Sequence, residues 1–581
     1  MMFSKPARDE FYPVGGEIPK QKKDACRCVD VATRRRLQQS KNRMLIFVAC
    51  ACAVFAGIIA RLFFLTVVDY QPRQFKPSVL RTEYYLSRQK ILDRNGMEIA
   101  MSVPTTDLSI NPQLVKNPAE TAQNLARILP GVTADDILKK INAGGTFRYV
   151  KRNVTPRERN DVNWLGYYFL NETNGEKRIY PQGASFSHIL GGVDIDNIGT
   201  AGLEKSLGRV LQTDAVVVSL DATVQEMVRT TLAQNVDKFK ADGGLAVVMN
   251  VHNGEVLASV SLPDYDPNAP AEGDMSRRFN KASLGTYEFG SVFKLFNTAL
   301  GLEIGAIKPW DTIDASEPFK IGRKTIDDFQ GQYRPLMVAE VLMHSSNIGS
   351  VRIAQRIGYQ KQKAFFDTLG FYQRLPINLP ERGRPQYPSV AKWSDITSAN
   401  VAFGYGISIT PLHLIAGIAA LVNGGYYNAP TFIKDGNAGR PAYRIVSEKT
   451  SDIMRNMMWA AVNWDLKETD SVAPYAVGGK TGSANLLDDK RKYIRGSLRT
   501  TFVCVFPMNA PQYAVLVVLE NPKRLKETWG FNTAGWNAKP AGLKIAAQIA
   551  PYLGVTPQPA FQQPDYIARA IAASAAHKKK R

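Results

Sequence analysis

From Met44 to Ala60 seventeen consecutive residues carry no charge, and beyond Arg61 the apolar run resumes as Leu62–Val68. A bilayer core takes about 20 apolar residues in a helix, so this stretch has the length of a membrane span. Arg61 lies near its C-terminal end, where the stem can follow lipid while the guanidinium reaches the interface. A buried core helix is the competing reading, and the flanks argue against it. Residues 1–43 hold eleven basic and five acidic side chains, including Lys20, Lys22, Lys23, Arg34, Arg35, Arg36, Lys41 and Arg43. A cleaved signal peptide fits less well, because the apolar run is too long and the charged segment before it too extended. Phe47-Val48-Ala49-Cys50 imitates a lipoprotein cleavage site only loosely. The expectation is one uncleaved signal anchor over residues 44–68. The positive-inside rule leaves the basic tail, 1–43, in the cytoplasm and exports everything that follows.

That placement changes the meaning of the charge. A net charge of +21 on 581 residues invites a nucleic-acid reading. Six of those charges lie in the basic tail and four in Lys578-Lys579-Lys580-Arg581, which leaves +11 thinly spread over the remainder. No zinc-finger spacing or aromatic-basic pattern accompanies it, so no nucleic-acid partner is expected. Disorder is excluded by 45% hydrophobic and 10% aromatic residues. Cys26 and Cys28 fall in the tail, Cys50 and Cys52 in the anchor, and Cys504 alone in the exported part. Such an exported part has no internal disulfide and no thiolate zinc cluster. His188, His252, His344, His413 and His577 form no ligand cluster in the sequence, so no metal and no other cofactor is expected.

Beyond the anchor, residues 69–83 read as a juxtamembrane linker. Arg94-Asn95-Gly96 then predicts a hairpin, Pro130-Gly131 splits residues 119–142 into two short helices, and Asn174-Gly175 predicts a second turn. Residues 69–221 read as a mixed α+β spacer or docking module without concentrated polar chemistry. From residue 222 the texture changes: a helix over 222–237, strands at 244–251 and 255–261, and strands at 500–508 and 513–520. Mostly helical pattern lies between the strand pairs, and a closing helix lies near 540–553. Helices inserted between the strands of one antiparallel sheet make an α/β sandwich over 222–555. The tail, 556–581, with Pro557, Pro559 and Pro564, reads as flexible.

Three short motifs carry chemistry. Ser291-Val292-Phe293-Lys294 places a hydroxyl and an amine three residues apart, on one face of a helix if Gly290 opens it. A serine needs a base to become a nucleophile. Lys294 is flanked by Phe293, Leu295 and Phe296, and desolvation favours its neutral form. The same spacing recurs at Ser87–Lys90 and Ser389–Lys392, so alone it proves little. Ser345-Ser346-Asn347 offers a hydroxyl and an amide, with imitators at 398 and 483. Gly479-Lys480-Thr481-Gly482-Ser483 contains the chain's only K-T-G and suggests an edge strand approached by a ligand carboxylate. A phosphate-binding P-loop is excluded, because Pro474 stands where that pattern needs glycine.

The order of the three, behind an export anchor, matches the motif set of β-lactamases and penicillin-binding proteins. The chain resembles the class B penicillin-binding proteins, and among them the septal division transpeptidases of the FtsI type, from residue 44 to about 553. Further matching segments are Arg88–Gly96, Arg178-Ile-Tyr-Pro181 with Gly202-Leu-Glu204, Pro263 with Asp266-Pro-Asn268, Tyr287–Ser291 and Gly404–Pro411. Phe289 departs from the usual proline before Gly-Ser.

The resemblance implies the penicillin-binding transpeptidase fold: a central antiparallel sheet with helices on both faces, a non-catalytic pedestal (dimerisation-like) domain before it, and one transmembrane helix. It implies no glycosyltransferase activity. It implies a D,D-transpeptidase in the inner membrane, with its catalytic domain periplasmic at the division septum, that cross-links peptidoglycan stem peptides ending D-Ala-D-Ala and is acylated by β-lactams. By the same resemblance Ser291 is the nucleophile, Lys294 its base, Ser345 a proton relay and Asn347 a donor-orienting amide. Lys480, Thr481, Gly482 and Ser483 form the carboxylate-binding strand. The implied partners are a multi-spanning FtsW-like (SEDS-type) glycosyltransferase and other divisome proteins. An elongation-type class B enzyme and a non-turnover β-lactam sensor or scaffold are the alternatives. A sensor normally carries a separate signalling domain, and residues 1–43 read as too short and too polar to be one; a scaffold would be expected to have lost one of the motif residues, and all are present.

Overall fold

The computed structural model describes residues 31–63, 88–269, 274–322, 324–388, 393–465, 473–488, 492–557 and 561–580. Lys20 to Lys23, Cys26, Cys28, residues 64–68 of the expected anchor, the linker read over 69–83, Ser87 and the Ser389–Lys392 spacing lie outside them. Helix α1 (Val31–Phe63) contains the apolar stretch Lys41–Arg61, 21 residues with a mean hydropathy of 2.3, long and apolar enough to cross a membrane.

Residues 86–581 form a compact unit of their own. Its first hairpin turns at Arg94-Asn95-Gly96 and joins β1 (Ile91–Leu92) to β2 (Glu98–Ile110), with Gly96 at φ +88°. Helices α2 (Pro118–Ile128) and α3 (Ala134–Asn142) flank Pro130-Gly131 as the sequence predicts. Leu125, Ile137 and Ile141 pack them onto Leu108 and Val150. β2 pairs with both β3 (Arg148–Val154) and β4 (Leu170–Ile179). The second predicted turn is absent: Asn174 and Gly175 lie inside β4, paired with Thr106 and Thr105. Gly175 serves close approach instead, since a Cβ there would lie 2.7 Å from Asp107 Oδ1.

Arg88, Arg178 and Glu204, three residues of the resemblance, meet in a buried ion triad. Glu204 accepts from Arg88 Nε at 2.5 Å and from Arg178 Nε at 2.7 Å. Strand β5 (Val216–Val217) runs parallel to β1 and leads into α4 (Ala222–Lys238). The hairpin turn helps to cap that helix: Asn95 Nδ2 donates to Asp221 Oδ2 at 2.9 Å, and Ala222 N donates to Asp93 Oδ2 at 3.1 Å.

The main sheet comprises β6 (Gly243–Asn250), β7 (Val256–Leu262), β8 (Gly478–Leu487), β9 (Tyr493–Phe506) and β10 (Tyr513–Glu520). Their order is β8-β9-β10-β6-β7, every neighbour antiparallel. Leu245, Val247 and Met249 face a layer holding Phe293, Leu295 and Ile415, whereas Ala246 and Val248 face Val224, Val228, Ile545 and Ile549. The sheet is buried on both faces, which is why its strands read as continuous apolar runs rather than alternating ones. Between β7 and β8 lie α5 (Lys294–Glu303), α6 (Val338–Met343), α7 (Asn347–Ile357), α8 (Pro411–Val422) and α9 (Glu448–Asn463). Helix α10 (Ala538–Tyr552) covers the opposite face together with α4.

The chain end departs from expectation. Asp565–Lys580 forms a helix, α11, and Ile567 and Ala570 are fully buried in the core. Ile567, Ala570, Ile571 and Ser574 fall at i, i+3, i+4 and i+7, one helical stripe within an alanine-rich segment. The prolines lie before the helix: Pro564 O accepts from Ile567 N at 2.9 Å and so marks its start.

Candidate active site

Three backbone segments converge on Ser291. Residues 290–293 form a 3₁₀ turn that runs directly into α5 at Lys294. Gly290 takes φ +55°. Gly404, at φ +84°, backs onto it so closely that a Cβ would meet Gly290 O at 2.0 Å. From the other side a Cβ on Gly482 would meet Phe289 O at 2.3 Å. The G-Y-G loop and the K-T-G strand thus hold the Ser291 turn between them. Phe289 has φ −103°, outside the range a proline ring allows, and its side chain is buried.

Helix geometry brings Lys294 beneath this turn, fully buried among Phe293, Leu295 and Phe296. Its Nζ reaches Ser345 O, Asn347 Oδ1 at 2.8 Å and Ser345 Oγ at 3.3 Å. Burial holds its pKa well below the ordinary lysine value; the nearby Lys480 charge adds to the effect and Asp328 opposes it. Ser345 closes α6 at φ +56°, a left-handed conformation uncommon for a non-glycine residue. Ser346 then caps α7, accepting from Gly349 N at 2.9 Å.

Strand β8 is the sheet edge, as the flanking glycines predict, and pairs along one side with β9, Lys480 opposite Val503. Lys480 is buried, and its Nζ donates to Ser345 Oγ at 3.0 Å and to Thr481 O at 3.1 Å. Burial, with the charge of Lys539, lowers its pKa to about 7. Thr481 and Ser483 share the other face of the strand. Ser483 Oγ accepts from Ala534 N at 3.1 Å, which leaves its own proton to donate. Of the sequence-predicted residues, Lys294, Ser345, Asn347 and Lys480 form one hydrogen-bonded cluster, Gly482 abuts the Ser291 turn, and Thr481 and Ser483 flank it on the strand.

Asp328 belongs to the site and was not foreseen. Its Oδ1 accepts from Asn347 N and, at 3.0 Å, from Ile348 N, and its Oδ2 accepts from Ser346 Oγ at 2.6 Å. A carboxylate nineteen residues before Asn347 has no sequence signature, because only the tertiary fold brings it to the helix start. Glu288 was also missed. It accepts from Gly406 N at 2.7 Å and from Tyr493 Oη at 3.1 Å, and burial holds its carboxyl above the usual range. Tyr405 packs on Tyr493, ring centroids 5.5 Å apart, and beside them opens a cavity of about 330 Å³ lined also by Lys324, Asn400 and Phe403. Among the described residues no three His, Cys, Asp or Glu side chains are grouped to hold a metal ion.

Residues 244–549 match the family model of the penicillin-binding protein transpeptidase domain, and residues 85–235 match that of the penicillin-binding protein dimerisation domain. A curated relative from Caulobacter vibrioides, described as a probable peptidoglycan D,D-transpeptidase FtsI, is 35% identical over 81% of this chain and 82% of its own length. The probable D,D-transpeptidase PenA of Neisseria meningitidis is 29% identical over 89% of this chain and 94% of its own. Among solved structures, a peptidoglycan synthetase from Bifidobacterium adolescentis superposes with a TM-score of 0.64 at 22% identity, covering 83% of this chain and 97% of that one.

Proposed function

Because this chain belongs to the class B penicillin-binding proteins, serine acyltransferases of peptidoglycan, we propose that it cross-links stem peptides at the division septum through an acyl-enzyme on Ser291. Ser291 Oγ attacks the penultimate D-Ala carbonyl of a D-Ala-D-Ala donor, and Lys294 accepts its proton. The peptide C–N bond breaks, and the terminal D-Ala leaves with a proton delivered through Ser345. An amine of a neighbouring stem then attacks the ester, closes the cross-link and frees Ser291. Asn347 orients the donor amide, while Lys480, Thr481 and Ser483 receive the terminal carboxylate. Backbone N–H groups of Ser291 and Ser483 stabilise the oxyanion, a contribution of roughly 10²–10³ in rate.

The observation that carries this reading is the placing of Ser345 Oγ between two buried amines. A neutral Lys294 has two N–H donors, which match Ser345 O and Asn347 Oδ1, and one lone pair left to take the Ser291 proton; the ammonium then formed can pass a proton to Ser345 Oγ, 3.3 Å away. Lys480 then donates to the same oxygen, so a proton has a path to Lys294 and back. β-Lactams, which resemble the D-Ala-D-Ala end, acylate Ser291 by the same route.

The apolar stretch Lys41–Arg61 anchors the chain in the inner membrane, with the basic tail cytoplasmic and the catalytic domain periplasmic. An FtsW-like glycosyltransferase docks on the pedestal and the anchor and supplies the glycan. The test of the chemistry is a fluorescent penicillin offered to wild-type and Ser291→Ala protein: only the wild type should label. The test of the septal role is depletion. Filamenting cells support it, and rounded cells assign the enzyme to lateral wall elongation.

A further inference from the structure

Helix α11 begins beyond residue 549, where the transpeptidase family model ends, yet it packs on both α6, which precedes Ser345, and α9, which backs the K-T-G strand. Its buried Ser574 lies between two residues of the segment that delivers Ser345. Ser574 Oγ donates to Glu340 Oε1 at 3.0 Å and lies 2.8 Å from His344 Nε2. A carboxylate only accepts, so the single hydroxyl proton goes to Glu340 and His344 Nε2–H must donate to Ser574. Burial lowers the His344 pKa to about 4, which keeps that ring neutral. Glu340 is itself fixed by Arg334 Nη2 at 2.5 Å and Met337 N at 3.0 Å. On its other side α11 meets α9: Phe561, just before the helix, stacks on Trp459 at 4.9 Å, and Lys578 lies over Trp464, whose ring is 5.0 Å from His344. Helix α9 in turn backs the K-T-G strand, where a Cβ on Gly478 would meet Trp459 N at 2.8 Å.

We infer that the C-terminal helix is a brace that sets the spacing of Ser345 and Lys480, with Ser574 as a positioning residue acting through His344 and Glu340. The inference rests on the Ser291 site proposed above. An undocked α11 leaves α6 and α9 free to separate, and small misplacements of relay groups slow the chemical step more than binding.

Stopped-flow acylation of the full chain by a fluorescent penicillin tests this, with thermal unfolding measured in parallel. Ser574→Ala and the undocking pair Ile567→Glu/Ala570→Glu should each lower the saturating acylation rate about tenfold or more, with the binding constant nearly unchanged. Ser574→Thr, which keeps the hydroxyl, should retain the wild-type rate. Should the double variant not fold, Ser574→Ala decides alone. Wild-type acylation by a folded Ser574→Ala protein overturns the brace. Labelling that survives in Ser291→Ala instead overturns the site assignment, so the two failures are distinguishable.

Discussion

Lys480 Nζ donates to Ser345 Oγ at 3.0 Å, joining the edge strand of the sheet to the turn between α6 and α7. The residues are 135 positions apart in sequence. Their meeting makes one site of three motifs, each weak by itself.

Ser345 combines a left-handed backbone conformation with the relay role proposed above. At φ +56° an alanine keeps the backbone cost and a glycine removes it, so Ser345→Gly should be about 1 kcal/mol more stable than Ser345→Ala. Both should acylate about 10²–10⁴ more slowly than wild type, because the proposed relay is lost. Thermal unfolding and penicillin labelling check the two halves separately. Equal stabilities would show that the left-handed conformation is not a source of strain.

The pH dependence of acylation follows from the two amines. Burial holds Lys294 well below the ordinary lysine pKa, which favours its free-base form, so protonating it should lower the rate constant on the acid side. Lys480, at about 7, loses its charge as the pH rises, and recognition of a β-lactam carboxylate should weaken above that value. The second-order rate constant is therefore expected to be bell-shaped. Lys480→Arg should carry the alkaline limb upward, since a guanidinium stays charged. A profile flat from neutrality to pH 10 in the wild type would contradict the assignment.

The same burial bears on stability. Lys480 has a folded-state pKa below its unfolded value of 10.5, so the unfolded chain binds more protons between about pH 7 and 10.5. Its contribution to stability therefore rises with pH across that window. Lys480→Met removes the buried amine and should stabilise the protein at pH 7 by at least about 1 kcal/mol while abolishing labelling. Denaturant titrations at pH 7 and 10 measure this, and a less stable variant at pH 7 would refute it.

The pedestal triad predicts the opposite response. Glu204→Gln leaves Arg88 and Arg178 buried without their shared counter-charge, an arrangement that costs about 3–5 kcal/mol. A melting temperature equal to that of the wild type would show that the triad is not a structural tie.

The site was legible in the sequence where chemistry is local. Ser291 and Lys294 are three residues apart, the one in the 3₁₀ turn and the other at the start of α5, and the glycines around Lys480 mark an edge strand. The sheet was legible because four apolar runs of strand length stand in two pairs. Asp328 and Glu288 were not, since a carboxylate that caps a distant helix or binds a loop N–H leaves no periodic trace. Asn174-Gly175 misled because glycine serves close approach as well as turns, and only the position of Asp107 distinguishes the two. The C-terminal helix was hidden by prolines that prevent helix before residue 565 and begin one after it.

The proposed acyl-enzyme on Ser291 is tested most directly by peptide mapping with mass spectrometry after brief exposure to a β-lactam. One covalent adduct is expected, on the peptide carrying Ser291, absent from Ser291→Ala and strongly reduced in Lys294→Met. An adduct on any other serine, or undiminished labelling of Ser291→Ala, would contradict it.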